Sequence, residues 1–146
     1  MSAGSAGKLY TPAMLSLATE LADFPFASDL PHIASARSRT CGSTAVLGLA
    51  LAVDGTVDRV GLKISACAIG QASAALLARS IKGRSAQDVR TVRTEIDNWL
   101  GGEGELPAWP DFELIAAARD SKGRHGALLL SWNAAVDALS MAQSSS

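Results

Sequence analysis

Residues 44–66 read TAVLGLALAVDGTVDRVGLKISA, and this stretch decides the fold. Its apolar side chains alternate with small or polar ones on both sides of Asp54-Gly55, a dipeptide typical of tight hairpin turns. Apolar residues hold the odd-numbered positions up to Val53 and the even-numbered positions after the turn. Because directly opposite residues of an antiparallel pair share a face, this turn sets Leu47 opposite Leu62. The stretch therefore predicts a β-hairpin with one apolar face and one register.

The same register has a consequence for the two cysteines of the chain. Continued outward, it sets Gly42 opposite Cys67 and Cys41 opposite Ala68, so both thiols lie on neighbouring backbones about 5 Å apart in the pairing direction. Strict alternation would aim them at opposite faces, although Gly42 lets the chain turn. Cys67 also precedes a small-residue helix, whose N-terminus favours the thiolate. A buried core cysteine is the alternative interpretation of the same position.

The rest of the chain predicts an α+β fold with a small antiparallel sheet of about three strands, helices packed on one face, and a helical C-terminal half. Residues 1–146 form one domain in this interpretation, with residues 1–8 and 143–146 disordered. In chain order, we first expect a helix that is capped by Thr11 and ends near Asp23. A loop over 24–40 follows, with an exposed His32 and a short edge strand near Ser35–Ser38. Four further helices are expected over 71–82, 85–100, 111–118 and 126–141.

Composition excludes several classes of function. The 146 residues carry a net charge of −1 and only 5% aromatic residues, which argues against a nucleic-acid partner held by bulk charge. No apolar run reaches the length of a membrane span, and the first seven residues lack the apolar segment of a signal peptide. Two cysteines do not make a disulfide scaffold. We therefore expect a cytoplasmic protein with no membrane partner.

Few residues remain as candidates for chemistry. The sequence contains no phosphate-binding glycine loop, no nucleophile elbow and no paired zinc-binding motif, and its carboxylates are scattered. The remaining candidates are Cys41, Cys67 and His125, three soft-to-borderline ligands that suit zinc or iron. Taken singly, each also has a structural interpretation, as a turn cysteine, a buried cysteine and a capping or surface histidine.

The segments around these residues resemble the iron–sulfur cluster assembly scaffold family, which includes IscU, SufU and the N-terminal part of NifU. The likeness runs from Leu9-Tyr10-Thr11-Pro12 to Trp132 in the last helix. Cys41-Gly42-Ser43 is similar to the family's Cys-Gly-Asp motif before a strand. The segment Cys67-Ala-Ile-Gly-Gln-Ala-Ser-Ala74 is similar in detail to the family's second cysteine and the small-residue helix that follows it.

The resemblance implies a scaffold or carrier rather than an enzyme. Its ligand would be a transient iron–sulfur cluster or iron, with zinc as another possibility, bound by Cys41, Cys67 and His125. Its partners would be a cysteine desulfurase and, as recipients, apo iron–sulfur proteins.

The chain departs from the family at three places. Ser43 replaces the aspartate of Cys-Gly-Asp, Gly126 stands where the family has its third cysteine, and the Leu-Pro-Pro-Val-Lys motif of the IscU branch is missing. Two other functions therefore stay open: a sulfurtransferase that accepts a persulfide on Cys67 or Cys41, and a degenerate family member that serves as a binding module without metal.

Overall fold

A computed structural model describes residues 10–39 and 42–144 of the chain. Over these residues it contains four α-helices, three strands and three short 3-10 helices, which confirms the α+β fold with a helical C-terminal half. The strands are β1 (His32–Arg37), β2 (Thr44–Leu51) and β3 (Val57–Ser65), and the α-helices are α1 (Pro12–Thr19), α2 (Ala68–Ser80), α3 (Ala86–Leu100) and α4 (His125–Ser144). The 3-10 helices cover Glu20–Asp23, Phe112–Asp120 and Lys122–Arg124.

The three strands of the described residues form one antiparallel sheet in the order β1-β2-β3. Leu47 pairs with Leu62 in the predicted register, and Ala34 of β1 lies on the other side of Leu47. All three of these side chains are buried, because this row faces the helices. The hairpin is confirmed, and so is the register predicted from alternation and the turn, from the pair Thr44–Ser65 to the pair Ala50–Arg59.

The tip of this hairpin differs from the prediction. A β-bulge between Ala50 and Leu51 shifts the register, and the turn spans residues 52–56 rather than two residues. The Asp54 carboxylate accepts hydrogen bonds from the hydroxyl of Thr56 at 2.7 Å and from its amide at 3.0 Å. These two bonds, the hydroxyl bond first, lower the pKa of Asp54 below its ordinary value. Val53, which alternation places on the apolar face, is fully exposed, so that part of the prediction is wrong.

Two other boundaries differ from expectation. The edge strand is β1, which begins at His32, so this half-buried histidine pairs with Leu49 instead of lying exposed in a loop. The segment after Asp111 is a 3-10 helix, and Asp111 does not cap it with its side chain. Its carboxylate instead forms a 2.5 Å ion pair with Arg79 of α2. In both places a contact distant in sequence outweighs the local pattern.

Two helix starts and one helix end also differ from the predicted residues. Helix α2 starts directly after Cys67, three residues before the predicted start, and α4 starts at His125. Helix α4 also extends to Ser144, two residues into the expected tail. No helix of the described residues is long and apolar enough to cross a membrane.

The core lies between the sheet and the helices. Helix α4 packs on β1 and β2 and also contacts α2 and α3, while α1 packs against α2. The largest side chains without solvent exposure come from every layer and include Met14, Leu47, Ile69, Leu76, Phe112 and Trp132. Helix α4 is therefore the element around which the described residues are packed.

The segment between the first 3-10 helix and β1, residues 24–31, crosses the face of the sheet opposite the helices. The Phe24 carbonyl accepts a hydrogen bond from the Leu62 amide at 3.0 Å, and Leu30 is buried against the cross-strand pair Gly48 and Gly61. A Cβ at Gly48 would lie 2.8 Å from the Leu30 side chain. The two glycines are therefore required by the close approach of this segment.

Gly61→Ala tests this packing. The added Cβ would collide with the Pro25 carbonyl oxygen, which is backbone and cannot rotate away. We expect a loss of about 1–3 kcal/mol in the free energy of unfolding, the usual cost of overpacking. Urea denaturation measures it, with Gly123→Ala as the control because a Cβ at Gly123 meets nothing within 4 Å. Equal stability of the two variants would contradict the close approach.

Candidate functional site

Cys67 is the N-cap of α2 and lies two residues after the end of β3. Its backbone is extended, and its carbonyl accepts the first helical hydrogen bond, from the amide of Gln71 at 3.0 Å. Its side chain caps no amide of the first turn and is half-buried against the core. The thiol therefore lies at a helix N-terminus without serving the helix as a hydrogen-bonding cap, and its sulfur stays available to a ligand.

His125 is the first residue of α4 and is also half-buried. Its Nε2 lies 2.7 Å from the backbone carbonyl oxygen of Arg119, across the short break at residues 121–124. The neighbouring Arg124 places its guanidinium 5.4 Å from the ring centre of Tyr10. The start of α4 is thus held to the 3-10 segment that contains Arg119 and to Tyr10.

The N-terminal ends of α2 and α4 lie against each other. A Cβ at Gly70 would lie 3.2 Å from the carbonyl oxygen and 3.3 Å from the Cβ of Ala127. Gly70 is one helical turn after Cys67, and Ala127 is two residues after His125. The tertiary structure therefore brings the two helix starts that carry Cys67 and His125 to one region of the molecule.

A buried polar link holds these two helices together. Ser73 of α2 donates a 2.7 Å hydrogen bond to the Leu128 carbonyl and accepts one at 3.0 Å from the indole Nε1–H of Trp132. Ser73 and Trp132 have no solvent exposure. Sequence reasoning missed Ser73, because a serine among alanines looks like any small helical residue. The link sets the relative position of α2 and α4, and hence of Cys67 and His125.

Cys41 lies outside the described residues, so its predicted position beside Cys67 stays a prediction. The residues around it close the connection between β1 and β2: the Gly42 amide donates to the Ser38 carbonyl at 3.1 Å, and the Ser38 amide donates to the Ser43 carbonyl at 2.8 Å. Gly42 has a positive φ of 70°, and Ser43 is 7% exposed. Glycine after Cys41 is therefore explained by backbone conformation.

The candidate ligand set is incomplete within the part of the chain that the structure describes. Residues 10–39 and 42–144 contain no group of three or more histidine, cysteine, aspartate or glutamate side chains able to bind a metal ion. Cys67 and His125 alone fall short of such a set. A site with three protein ligands therefore requires Cys41.

Comparison with solved structures identifies the fold. The chain is similar to the crystal structure of a nitrogen-fixing NifU-like protein (N-terminal) from Brucella abortus, with a TM-score of 0.89, 27% identity and coverage of 97% of this chain and 99% of the other. It is also similar to a candidate iron–sulfur cluster assembly scaffold protein for the SUF system from Fervidobacterium islandicum, with a TM-score of 0.81, 18% identity and coverage of 91% and 98%. A third structure, of a hypothetical protein, has a TM-score of 0.70 at 18% identity and coverage of 87% and 96%.

The sequence comparisons found no match, in contrast to the structure comparison. No protein-family model matches the chain, and no curated protein matches it. The structural neighbours of this chain are thus NifU-like N-terminal and SufU-type proteins, and it shares their fold over nearly its whole length.

Proposed function

We propose that this chain is a member of the iron–sulfur scaffold family and acts as a scaffold or carrier for iron, a nascent iron–sulfur cluster or zinc. One observation carries the proposal: in a chain that shares the fold of a NifU-like protein, Gly70 near the start of α2 lies against Ala127 near the start of α4, and these two helix starts carry Cys67 and His125. Cys41, Cys67 and His125 are the proposed ligands. The metal or cluster is cargo, and the chain needs no substrate turnover of its own.

The donor types fit this cargo. Thiolate and imidazole are ligands that zinc and iron–sulfur clusters accept. The six residues before His125 carry three cationic side chains, Arg119, Lys122 and Arg124, against one carboxylate, Asp120, and so have a net positive charge. Positive charge in this segment would favour an anionic, thiolate-bound cluster. Because Gly126 stands in place of a third cysteine, a four-coordinate metal keeps one position open, which a small thiol or a partner protein would fill.

Anaerobic reconstitution with ferrous iron and sulfide tests the proposal. We expect visible sulfur-to-iron charge-transfer absorption and retained iron after gel filtration, with a higher yield when a small thiol is added. Cys41→Ser and His125→Ala should each lose most of the retained iron. His32→Ala is the matched control, because this half-buried histidine lies on β1 and is not a proposed ligand. Reconstituted protein without colour or retained metal would overturn the proposal.

The proposed partner is a cysteine desulfurase, with apo iron–sulfur proteins as recipients. The exposed fraction of Cys67 also leaves room for a persulfide-accepting role, in which the sulfane sulfur moves from the desulfurase to the Cys67 thiolate and the desulfurase thiolate leaves. Mass spectrometry after incubation with desulfurase and cysteine separates the two functions. A gain of one sulfur atom on Cys67 without iron retention would favour the sulfurtransferase.

A further inference from the structure

The hydrogen bond made by His125 determines which ring nitrogen carries the proton. Its Nε2 is 2.7 Å from the Arg119 carbonyl oxygen, and a carbonyl can only accept. Nε2 is therefore the donor, and in the neutral ring the lone pair lies on Nδ1. Within residues 10–39 and 42–144, Nδ1 has no hydrogen-bonding partner. The nitrogen able to bind a metal ion is thus Nδ1.

Arg119 is itself held in place by the end of α3. Its Nε donates a 2.7 Å hydrogen bond to the carbonyl of Trp99, and its guanidinium lies 5.6 Å from the centre of the Trp99 ring. Trp99 is buried and packs edge-to-face on Phe112 with 5.5 Å between ring centres. The Arg119 side chain therefore ties its own backbone, including the carbonyl that receives His125, to the hydrophobic core.

We propose that Arg119 is a positioning residue for His125. Its side chain anchors the segment to α3, and its carbonyl holds the imidazole as the Nε2–H tautomer, so that Nδ1 is presented to a metal ion. This arrangement matches the way in which metal-binding histidines donate their second ring N–H to a backbone carbonyl. The inference rests on the proposed function, because it takes His125 as a ligand of the cargo.

A purely structural role is the competing explanation. In that case the ring bond would only close the break between the 3-10 helix Phe112–Asp120 and α4, and His125 would not bind metal. The structural role predicts that replacing Arg119 leaves the metal affinity unchanged. The positioning role predicts that the same replacement lowers the metal affinity, so this measurement separates the two explanations.

Long-range proton–nitrogen correlation spectra of the ¹⁵N-labelled full chain test the tautomer directly. The spectra are recorded without metal and then with Zn²⁺ as the probe, at one fixed pH. We expect the Nε2–H form of His125 in the metal-free protein. Added Zn²⁺ should shift Nδ1 while Nε2 keeps its proton. An Nδ1–H form, or zinc binding through Nε2, would overturn the proposal.

Zn²⁺ titration of Arg119→Ala tests the anchor. Residues behind a metal ligand change affinity by about 10–100-fold, and we expect a loss in this range together with a mixture of His125 tautomers. Arg93→Ala is the matched control, since Arg93 is also a half-buried arginine that donates from Nε, to Asn133 at 2.9 Å, away from His125. Unchanged affinity in Arg119→Ala, with His125→Ala still impaired, would overturn only the positioning role. Wild-type protein that binds no Zn²⁺, or a His125→Ala variant that binds as tightly as wild type, would overturn the ligand assignment of His125 as well.

Discussion

Replacing Cys67 by serine is expected to abolish stable retention of iron by the reconstituted protein and to weaken Zn²⁺ binding by more than about 100-fold. The magnitude follows because even residues behind a metal ligand are worth about 10–100-fold in affinity, and loss of a ligand costs more. Iron analysis after gel filtration and Zn²⁺ titration measure the two effects. Retention equal to wild type would remove Cys67 from the proposed ligand set.

The same substitution should leave the fold intact. Cys67 is the N-cap of α2 and makes no capping hydrogen bond, whereas serine is among the preferred N-cap residues. We therefore expect the thermal midpoint of Cys67→Ser to equal or exceed that of wild type. Ala68→Ser, which adds a hydroxyl one residue further along, controls for a change in helix start without loss of the thiol. A loss of iron accompanied by unfolding would contradict this account of Cys67.

Trp132→Ala is expected to produce the largest loss of stability, about 3–5 kcal/mol, as is typical for a buried tryptophan replaced by alanine. Trp132 has no solvent exposure, packs edge-to-face on Trp109 with 4.9 Å between ring centres, and donates its indole N–H to Ser73. Its removal opens a cavity between α2 and α4. Urea denaturation monitored by circular dichroism measures the change.

Two smaller variants separate volume from hydrogen bonding. Ser73→Ala leaves the Trp132 N–H without its partner and should cost about 1–3 kcal/mol. Ser131→Ala is the matched control on the neighbouring position of α4: its hydroxyl is equally buried but has no hydrogen-bonding partner among the described residues. We expect Ser131→Ala to be neutral or stabilising, because an unpartnered buried hydroxyl carries a desolvation penalty. Equal effects of the two serine variants would show that the Ser73 link contributes nothing.

The placement of Cys67 and His125 connects these stability variants to function. The Ser73–Leu128–Trp132 link joins α2 to α4, whose first turns carry the two candidate ligands. Weakening the link loosens one ligand relative to the other, while a clash on the opposite face of the sheet, as in Gly61→Ala, acts far from both. Loss of metal affinity should therefore accompany Ser73→Ala more closely than Gly61→Ala.

Local signals predicted the parts of the fold that depend on neighbours in sequence. Thr11 caps α1 through the amide of Met14, and Ser85 begins α3 with a capping box formed with Asp88. The bonds from the backbone and hydroxyl of Ser85 hold the pKa of Asp88 below its ordinary value. The hairpin register followed from alternation in two adjoining strands. Each of these features is a contact between residues a few positions apart, or across one turn.

The candidate site was predictable only in its residue types. The sequence showed Cys67 before a small-residue helix and His125 in a polar segment before the last helix. The resemblance to a known family suggested that both belong to one site. The Arg119 carbonyl was not visible, because every residue has a carbonyl and no pattern marks the one that receives an imidazole. Ser73 was missed for the related reason that its partners, the Leu128 carbonyl and Trp132, are more than fifty residues away.

The sequence by itself determined the hairpin register, the helix caps and the three candidate ligands. An alternation of period two, a capping side chain and a soft donor atom can each be recognised from single residues or short spacings. The tertiary structure alone decided that the start of α2 lies against the start of α4, that Leu30 covers Gly48 and Gly61, and that Nε2 of His125 meets the Arg119 carbonyl. These features depend on how separate elements pack against each other. Packing depends on contacts among residues from the whole core, which are distant in sequence, so it cannot be predicted from any one local stretch.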